Sequence, residues 1–159
     1  VKSSPGQGST YYFSHPYNPL LVESATLIAK PGTADLKKYN WDNKRILIVE
    51  DDEQSLLFYQ SVLRKTNIKI TRANDGPEAI DHCRKQKFDL ILMDIRMPKM
   101  DGYITSQKIL AIDPSAKIIA QTAYAMAGER QRSLDAGCVD YIAKPISIAE
   151  FLKVIEKNI

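Results

Sequence analysis

Ile46-Leu47-Ile48-Val49 runs into Glu50 and Asp51, and Leu90-Ile91-Leu92-Met93 runs into Asp94. Two later runs end in other polar groups, Ile118-Ile119-Ala120-Gln121 in the Thr122 hydroxyl and Tyr141-Ile142-Ala143 in the Lys144 ammonium. An apolar run of this length that stops at turn residues reads as a strand buried on both faces of a parallel sheet. Its last residue then stands at the carboxyl end, where open α/β sheets place their ligand crevice. Crowded carboxylates repel one another, and some stay protonated unless a cation intervenes. Hard oxygen ligands with open water positions suit Mg2+. Carboxylates, a divalent ion, a lysine and a hydroxyl facing one crevice have the parts of a phosphoryl-transfer site. In that chemistry Asp94 is the nucleophile and forms an acyl phosphate. Lys144 and the metal offset charge on the phosphoryl oxygens, and Thr122 donates a hydrogen bond to them.

Each residue also has a plainer role. An aspartate after a strand begins a turn or caps a helix, and an acidic rim at helix N-termini suits the macrodipole. That rim accounts for Asp52 and Glu53 better than for Asp94. Thr122 reads singly as an N-cap and Lys144 as a solvated charge. All the plain roles must coincide at successive strand ends to replace the site.

The elements that must position these groups alternate cleanly from Lys44 onward. Apolar strands are expected at 45–50, 68–72, 88–93, 117–121 and 138–142. Helices are expected at 53–65 (Leu56, Leu57, Gln60, Leu63), 77–86 (Ala79, Ile80, Cys83), 103–111, 126–135 and 147–157 (Ile148, Phe151, Leu152, Ile155). Pro77 fits a first helical turn behind Asp75 or Gly76, and Gly137 fits a helix C-cap. Repeated βα units imply a parallel sheet with right-handed crossovers and helices on both faces. Periodicity does not give strand order. The doubly wound, flavodoxin-like order 2-1-3-4-5 would set strands 1 and 3 side by side and bring Glu50, Asp51 and Asp94 to one mouth.

The 159 residues, 44% apolar and 26% charged, suit one ordinary soluble domain with some extra chain. A net charge of +3 is too small to argue for nucleic acid or an anionic membrane. No apolar stretch approaches the roughly 20 residues that span a bilayer. Nor does the N-terminus carry the basic start and apolar core of a signal peptide. Cys83 and Cys138 lack metal spacing and fall in apolar-patterned segments, as reduced, buried small hydrophobes do. The cytoplasmic side is the expected location. His15 and His82 lack the neighbours of a metal or phosphohistidine site. Trp41, the single tryptophan, is expected to pack the domain edge.

ILIVEDDE, LILMDIRMPKMDG, the Thr122-Ala123 pair and AGCVDYIAKP together make a specific set. On these motifs residues 44–159 resemble the receiver domain of two-component response regulators over their whole length. The resemblance implies that Asp94 is the phosphorylated aspartate and that Asp51 and Asp94 ligate Mg2+ (or Mn2+) directly. Glu50 would act mostly through water, and the backbone carbonyl of Arg96 would be a further ligand. It implies a switch pair of Thr122 and Tyr141 and a cis Lys144–Pro145 bond. Such a domain catalyses only its own phosphorylation and dephosphorylation. Gln121 departs from the pattern, standing where a small or apolar residue is commoner. Arg96 and Tyr124 occupy positions that vary among receivers and tune the lifetime of the phosphate.

Residues 1–16 carry GQGSTYYF, a Gly-rich turn feeding a short aromatic strand. The segment resembles the closing hairpin of the ATP-binding domain of sensor histidine kinases; the plainer alternative is a flexible Gly/Ser leader. Residues 17–43, punctuated by Pro19, Pro31 and Gly32, read as a linker. Hairpin, linker and receiver in this order resemble a hybrid sensor histidine kinase, a histidine protein kinase whose parent chain can be anchored in the inner membrane. The implied partners are the phosphohistidine domain of the kinase, in its own chain or a partner's, and a downstream phosphotransfer protein. A free-standing response regulator is the alternative if residues 1–16 are foreign. An aspartate-nucleophile phosphohydrolase of the haloacid dehalogenase type needs an acid two positions after the nucleophile, where Arg96 holds its proton. A pseudo-receiver would lack the aspartate, the lysine or the acidic pair, and none is missing.

Overall fold

Five short strands pair side by side, all parallel, and the three central ones, RILIV, LILMD and IIAQT, are buried on both of their faces. The computed structural model describes residues 2–4, 8–10, 38–122 and 127–159. The chain divides into two compact units, Val1–Gly32 and Thr33–Ile159. In the first, Lys2–Ser4 and Gly8–Thr10 pair antiparallel, with Ser3 opposite Ser9. The aromatic strand expected at Tyr11–Phe13, and Tyr17 to Lys37 of the expected linker, lie outside the described residues.

In the second unit the strands are β1 (Arg45–Val49), β2 (Lys69–Ala73), β3 (Leu90–Asp94), β4 (Ile118–Thr122) and β5 (Asp140–Ala143). They lie in the order β2-β1-β3-β4-β5, the expected 2-1-3-4-5. The helices are α1 (Glu53–Leu63), α2 (Gly76–Lys85), α3 (Gly102–Ile112), α4 (Ala127–Asp135) and α5 (Ile148–Asn158). Alternate strand residues feed two cores. Ile46, Ile48, Leu90, Leu92, Ile119 and Ile142 meet α1 and α5 through Leu56, Tyr59, Phe151, Leu152 and Ile155. Leu47, Val49, Ile91, Met93, Ile118 and Ala120 meet α2 and α3 through Ala79, Ile80, Tyr103 and Ile109. Each such aliphatic side chain, fully buried, contributes about 1.5–3 kcal/mol, so the sheet is stabilised from both sides.

Several expected boundaries shift. β3 and β4 run one residue further than the apolar pattern reaches, because Asp94 pairs with Gln121 and Thr122 with Ala143 in the parallel ladder. Helix α1 stops at Leu63 and tightens into a 3-10 turn, Arg64–Thr66, which ends at Asn67 with φ 60°. The buried stripe of α1 is Leu56, Tyr59, Val62 and Leu63. Of the expected face Leu56 and Leu63 are buried, but Leu57 is 57% exposed, so the helix is turned from Leu57 toward Tyr59 and Val62. Asp52, Asp75, Asp101 and Ser147 cap α1, α2, α3 and α5, each accepting a backbone N–H of the first turn. Beyond α4, Gly137 has φ 89°. Its N–H donates to Leu134 O at 2.9 Å while that of Cys138 donates to Ser133 O at 3.0 Å, the left-handed C-cap that glycine favours.

Candidate functional site

The carboxyl ends of β1, β3 and β5 converge because those strands are parallel and lie close in the sheet. Glu50 follows β1 directly and is fully buried, Asp94 ends β3 and is buried, and Asp51 is exposed. One oxygen from each of Glu50, Asp51 and Asp94 falls within a span of 4.8 Å. Lys144, just after β5, reaches over the sheet so that its Nζ donates to Asp94 Oδ2 at 2.7 Å and to Glu50 Oε2 at 2.9 Å. The Arg96 N–H folds back onto Asp94 Oδ1 at 2.9 Å, which sets the backbone after β3 beside the cluster. The Lys144–Pro145 bond is cis, and the Lys144 N–H donates to Thr122 O at 2.7 Å, joining the ends of β4 and β5.

Burial pushes the Glu50 carboxyl up to about 7, with the negative Asp94 adding to the rise and Lys144 opposing it. Burial alone would lower the Lys144 ammonium, but its bonds to Asp94 and Glu50 outweigh it and hold the group above its ordinary value. Glu50 and Asp94 thus share one ammonium, with Asp51 beside them. That donor set, all hard oxygens with one member exposed, fits a divalent cation that keeps part of its water shell.

Thr122 is buried, and its hydroxyl donates to Glu129 Oε2 on α4 at 3.3 Å. Tyr141 stands opposite Ala120 in the ladder and packs, half-buried, against the core shared by α2 and α3. Asp52 caps α1, accepting from Ser55 N at 2.7 Å, in keeping with the acidic rim expected at a helix N-terminus.

Residues 46–156 match the response regulator receiver domain. The chain belongs to this family. It is 36% identical over 116 residues to the polar-differentiation response regulator DivK of Brucella anthropi, across 71% of this chain and 94% of that protein. It is 35% identical to the transcriptional regulatory protein ZraR of Escherichia coli across 73% of this chain, and there it spans only 26% of the relative's length. Among solved structures, the receiver domain of sensor histidine kinase PA1611 from Pseudomonas aeruginosa, with a magnesium ion coordinated in its active site cleft, superposes with a TM-score of 0.67. That match has 36% identity and covers 72% of this chain and 96% of the other. The chemotaxis protein CheY4 of Vibrio cholerae shares the fold, with a TM-score of 0.69 at 22% identity over 73% of this chain and 98% of that one.

The receiver places every sequence-predicted strand-end residue at one edge of the sheet. It also holds groups that pattern reading passed over. The Tyr59 hydroxyl, from α1, donates to Gln121 Oε1 beneath the acidic cluster. Glu129 joins the Thr122 and Tyr103 hydroxyls. An acidic residue in a first helical turn reads as a partner of the helix dipole, so only the contact distinguishes Glu129. No described helix of this receiver is long and apolar enough to cross a membrane.

Proposed function

We propose that this receiver takes a phosphoryl group from a phosphohistidine onto Asp94, in a Mg2+-dependent step of a two-component phosphorelay. The observation that carries the reading is Lys144 Nζ bridging Asp94 and Glu50 at 2.7 and 2.9 Å, beside an exposed Asp51. Glu50, Asp51, Asp94 and the backbone carbonyl of Arg96 would hold the metal, Asp51 and Asp94 directly and Glu50 mostly through water. When bound, Mg2+ offsets negative charge on the phosphoryl oxygens. A carboxylate oxygen of Asp94 attacks phosphorus, the P–N bond of the phosphohistidine breaks, and the imidazole leaves with the electron pair. Lys144 then exchanges one carboxylate contact for a phosphoryl oxygen, and Thr122 turns its hydroxyl toward another. The space Thr122 vacates admits the ring of Tyr141, which makes α4, β5 and α5 the readout face.

The wider context is a hybrid sensor histidine kinase, with residues 1–16 the end of its ATP-binding domain, 17–43 a linker and 44–159 the receiver. The hairpin of Lys2–Ser4 with Gly8–Thr10 and the likeness to a sensor kinase's receiver support this. The partners are then the kinase's phosphohistidine helices and a downstream phosphotransfer protein, on the cytoplasmic side. A free-standing regulator is favoured by one observation, the match across 94% of DivK. The sequence upstream of Val1 decides between them: the asparagine and glycine boxes of an ATP-binding domain there would establish the hybrid.

The chemistry is tested by intact mass after incubation with Mg2+ and acetyl phosphate. The wild type gains one acid-labile phosphate and Asp94→Asn gains none. Lys144→Ala still binds Mg2+ but takes up phosphate slowly. Equal uptake by wild type and Asp94→Asn would refute the assignment of the nucleophile.

A further inference from the structure

The hydroxyl that the proposed switch needs is already engaged. Thr122 Oγ1 donates to Glu129 Oε2 at 3.3 Å. The same oxygen accepts from the Tyr103 hydroxyl at 2.8 Å. Arg132, one turn beyond Glu129, sets its guanidinium 4.6 Å from the centre of the Tyr103 ring and 3.9 Å from Glu129 Oε1. Tyr103 is 5% exposed and Thr122 2%. Glu129 is therefore a partly buried carboxylate that ties the end of β4 to α3 through α4.

A threonine hydroxyl carries one proton to donate. While that proton lies on Glu129, it is not available to a phosphoryl oxygen on Asp94. Both acceptors are anionic, and bonds to them are of similar strength, so the two arrangements exclude each other without a large difference in energy. We propose that Glu129 is a positioning residue that holds Thr122 in the unphosphorylated arrangement and competes with the phosphoryl group for its hydroxyl. This rests on the reading of Thr122 as a donor to that group. When Thr122 leaves, Glu129 keeps Tyr103 and Arg132, so one end of α4 stays anchored to α3 while its tie to β4 is released. The release gives α4 two discrete settings, the kind of bistable packing that converts a local charge into a surface change.

The test is calorimetric titration of the full chain with beryllofluoride, a phosphoryl mimic, in saturating Mg2+. Wild type, Glu129→Ala and Glu129→Gln are compared, each with Thr122 and with Thr122→Val. Removing a competing hydrogen bond is expected to tighten beryllofluoride binding roughly two- to tenfold in Glu129→Ala, with Glu129→Gln between it and wild type. In the Thr122→Val background the Glu129 replacements should change nothing, a result that a merely structural role for Glu129 does not produce. Affinity equal to or weaker than wild type in the Glu129 variants that fold overturns the proposal, as does the same gain with Thr122→Val. Should Glu129→Ala fail to fold, Glu129→Gln, which keeps the shape, carries the comparison. If the wild type itself does not bind beryllofluoride, the reading of the site falls and this inference falls with it.

Discussion

Gln121 sits in the ladder beside Asp94 and is fully buried, where an apolar side chain would need no partner. Its Oε1 accepts from the Tyr59 hydroxyl, and its Nε2 is buried with no hydrogen-bond partner among the described residues. Burial holds Tyr59 well above the ordinary phenol range, and the negative Glu50, Asp94 and Asp52 add to the rise. The phenol is thereby kept a donor. Leaving one buried partner unsatisfied costs about 1–3 kcal/mol, whereas removing both can be nearly neutral. Tyr59→Phe is expected to lose that amount in urea unfolding, and Tyr59→Phe with Gln121→Leu to recover most of it. Additive losses in the double variant would show that the two side chains do not depend on each other.

Among the elements, α3 is the one whose approach to the site is set by a missing side chain. The Gly102 N–H donates to Ile95 O at 3.0 Å. A Cβ on Gly102 would stand 2.2 Å from the Asp94 carbonyl oxygen and 2.7 Å from Ile95 Cα. Both are backbone atoms of the segment that carries the nucleophile, so neither can swing aside. Gly102→Ala therefore has to push α3 away from the end of β3, at a cost of about 2–3 kcal/mol by analogy with overpacked cores. Thermal or chemical unfolding measures it, and a loss below about 0.5 kcal/mol, the level of an indifferent surface change, would show that the contact relaxes freely. The same loop is pinned from the other side by Lys99, which has φ 70° and reaches Asp75, the cap of α2, at 2.5 Å. That bond is the main reason the Asp75 carboxyl is held below its ordinary value.

For the whole molecule, the question is where the stable unit begins. Trp41 is 8% exposed and belongs to the core between the sheet, α1 and α5. Its N–H donates to Thr66 O at 2.7 Å, and its carbonyl accepts from Lys44 N at 3.0 Å. Tyr39 packs against it with the rings tilted by 50° and their centres 5.4 Å apart. A chain cut at Lys44 keeps every strand, every helix and every site residue of the receiver but loses this plug. Residues 33–159 are expected to unfold at a higher temperature than residues 44–159, by a difference equivalent to about 3 kcal/mol, the scale of removing a buried tryptophan. Equal midpoints would mean that Trp41 only covers the edge.

Much of the receiver was legible from local pattern. Asp94, Thr122 and Lys144 could be found because a strand's end is marked by where its apolar run stops, and parallel strands bring such ends to one edge of a sheet. The caps at Asp75 and Gly137 were legible for the same reason, since they are properties of a few consecutive residues. Strand order had no signature in periodicity and was reached only through the rule for doubly wound sheets. On α2 and α5 the expected residues Ala79, Ile80, Phe151, Leu152 and Ile155 are the buried ones, whereas the tertiary structure alone decided how α1 and α4 are rotated about their axes. That rotation buries Tyr59 and exposes Leu57 on α1, and it turns Glu129 on α4 toward Thr122 and Tyr103. A helix shows its neighbours one face in 3.6 residues per turn, and which face is chosen depends on the packing of the sheet, the adjoining helices and the loops at once. No stretch of sequence contains that sum, so the contacts made by Glu129, Tyr103, Tyr59 and Gln121 exist only in the folded chain.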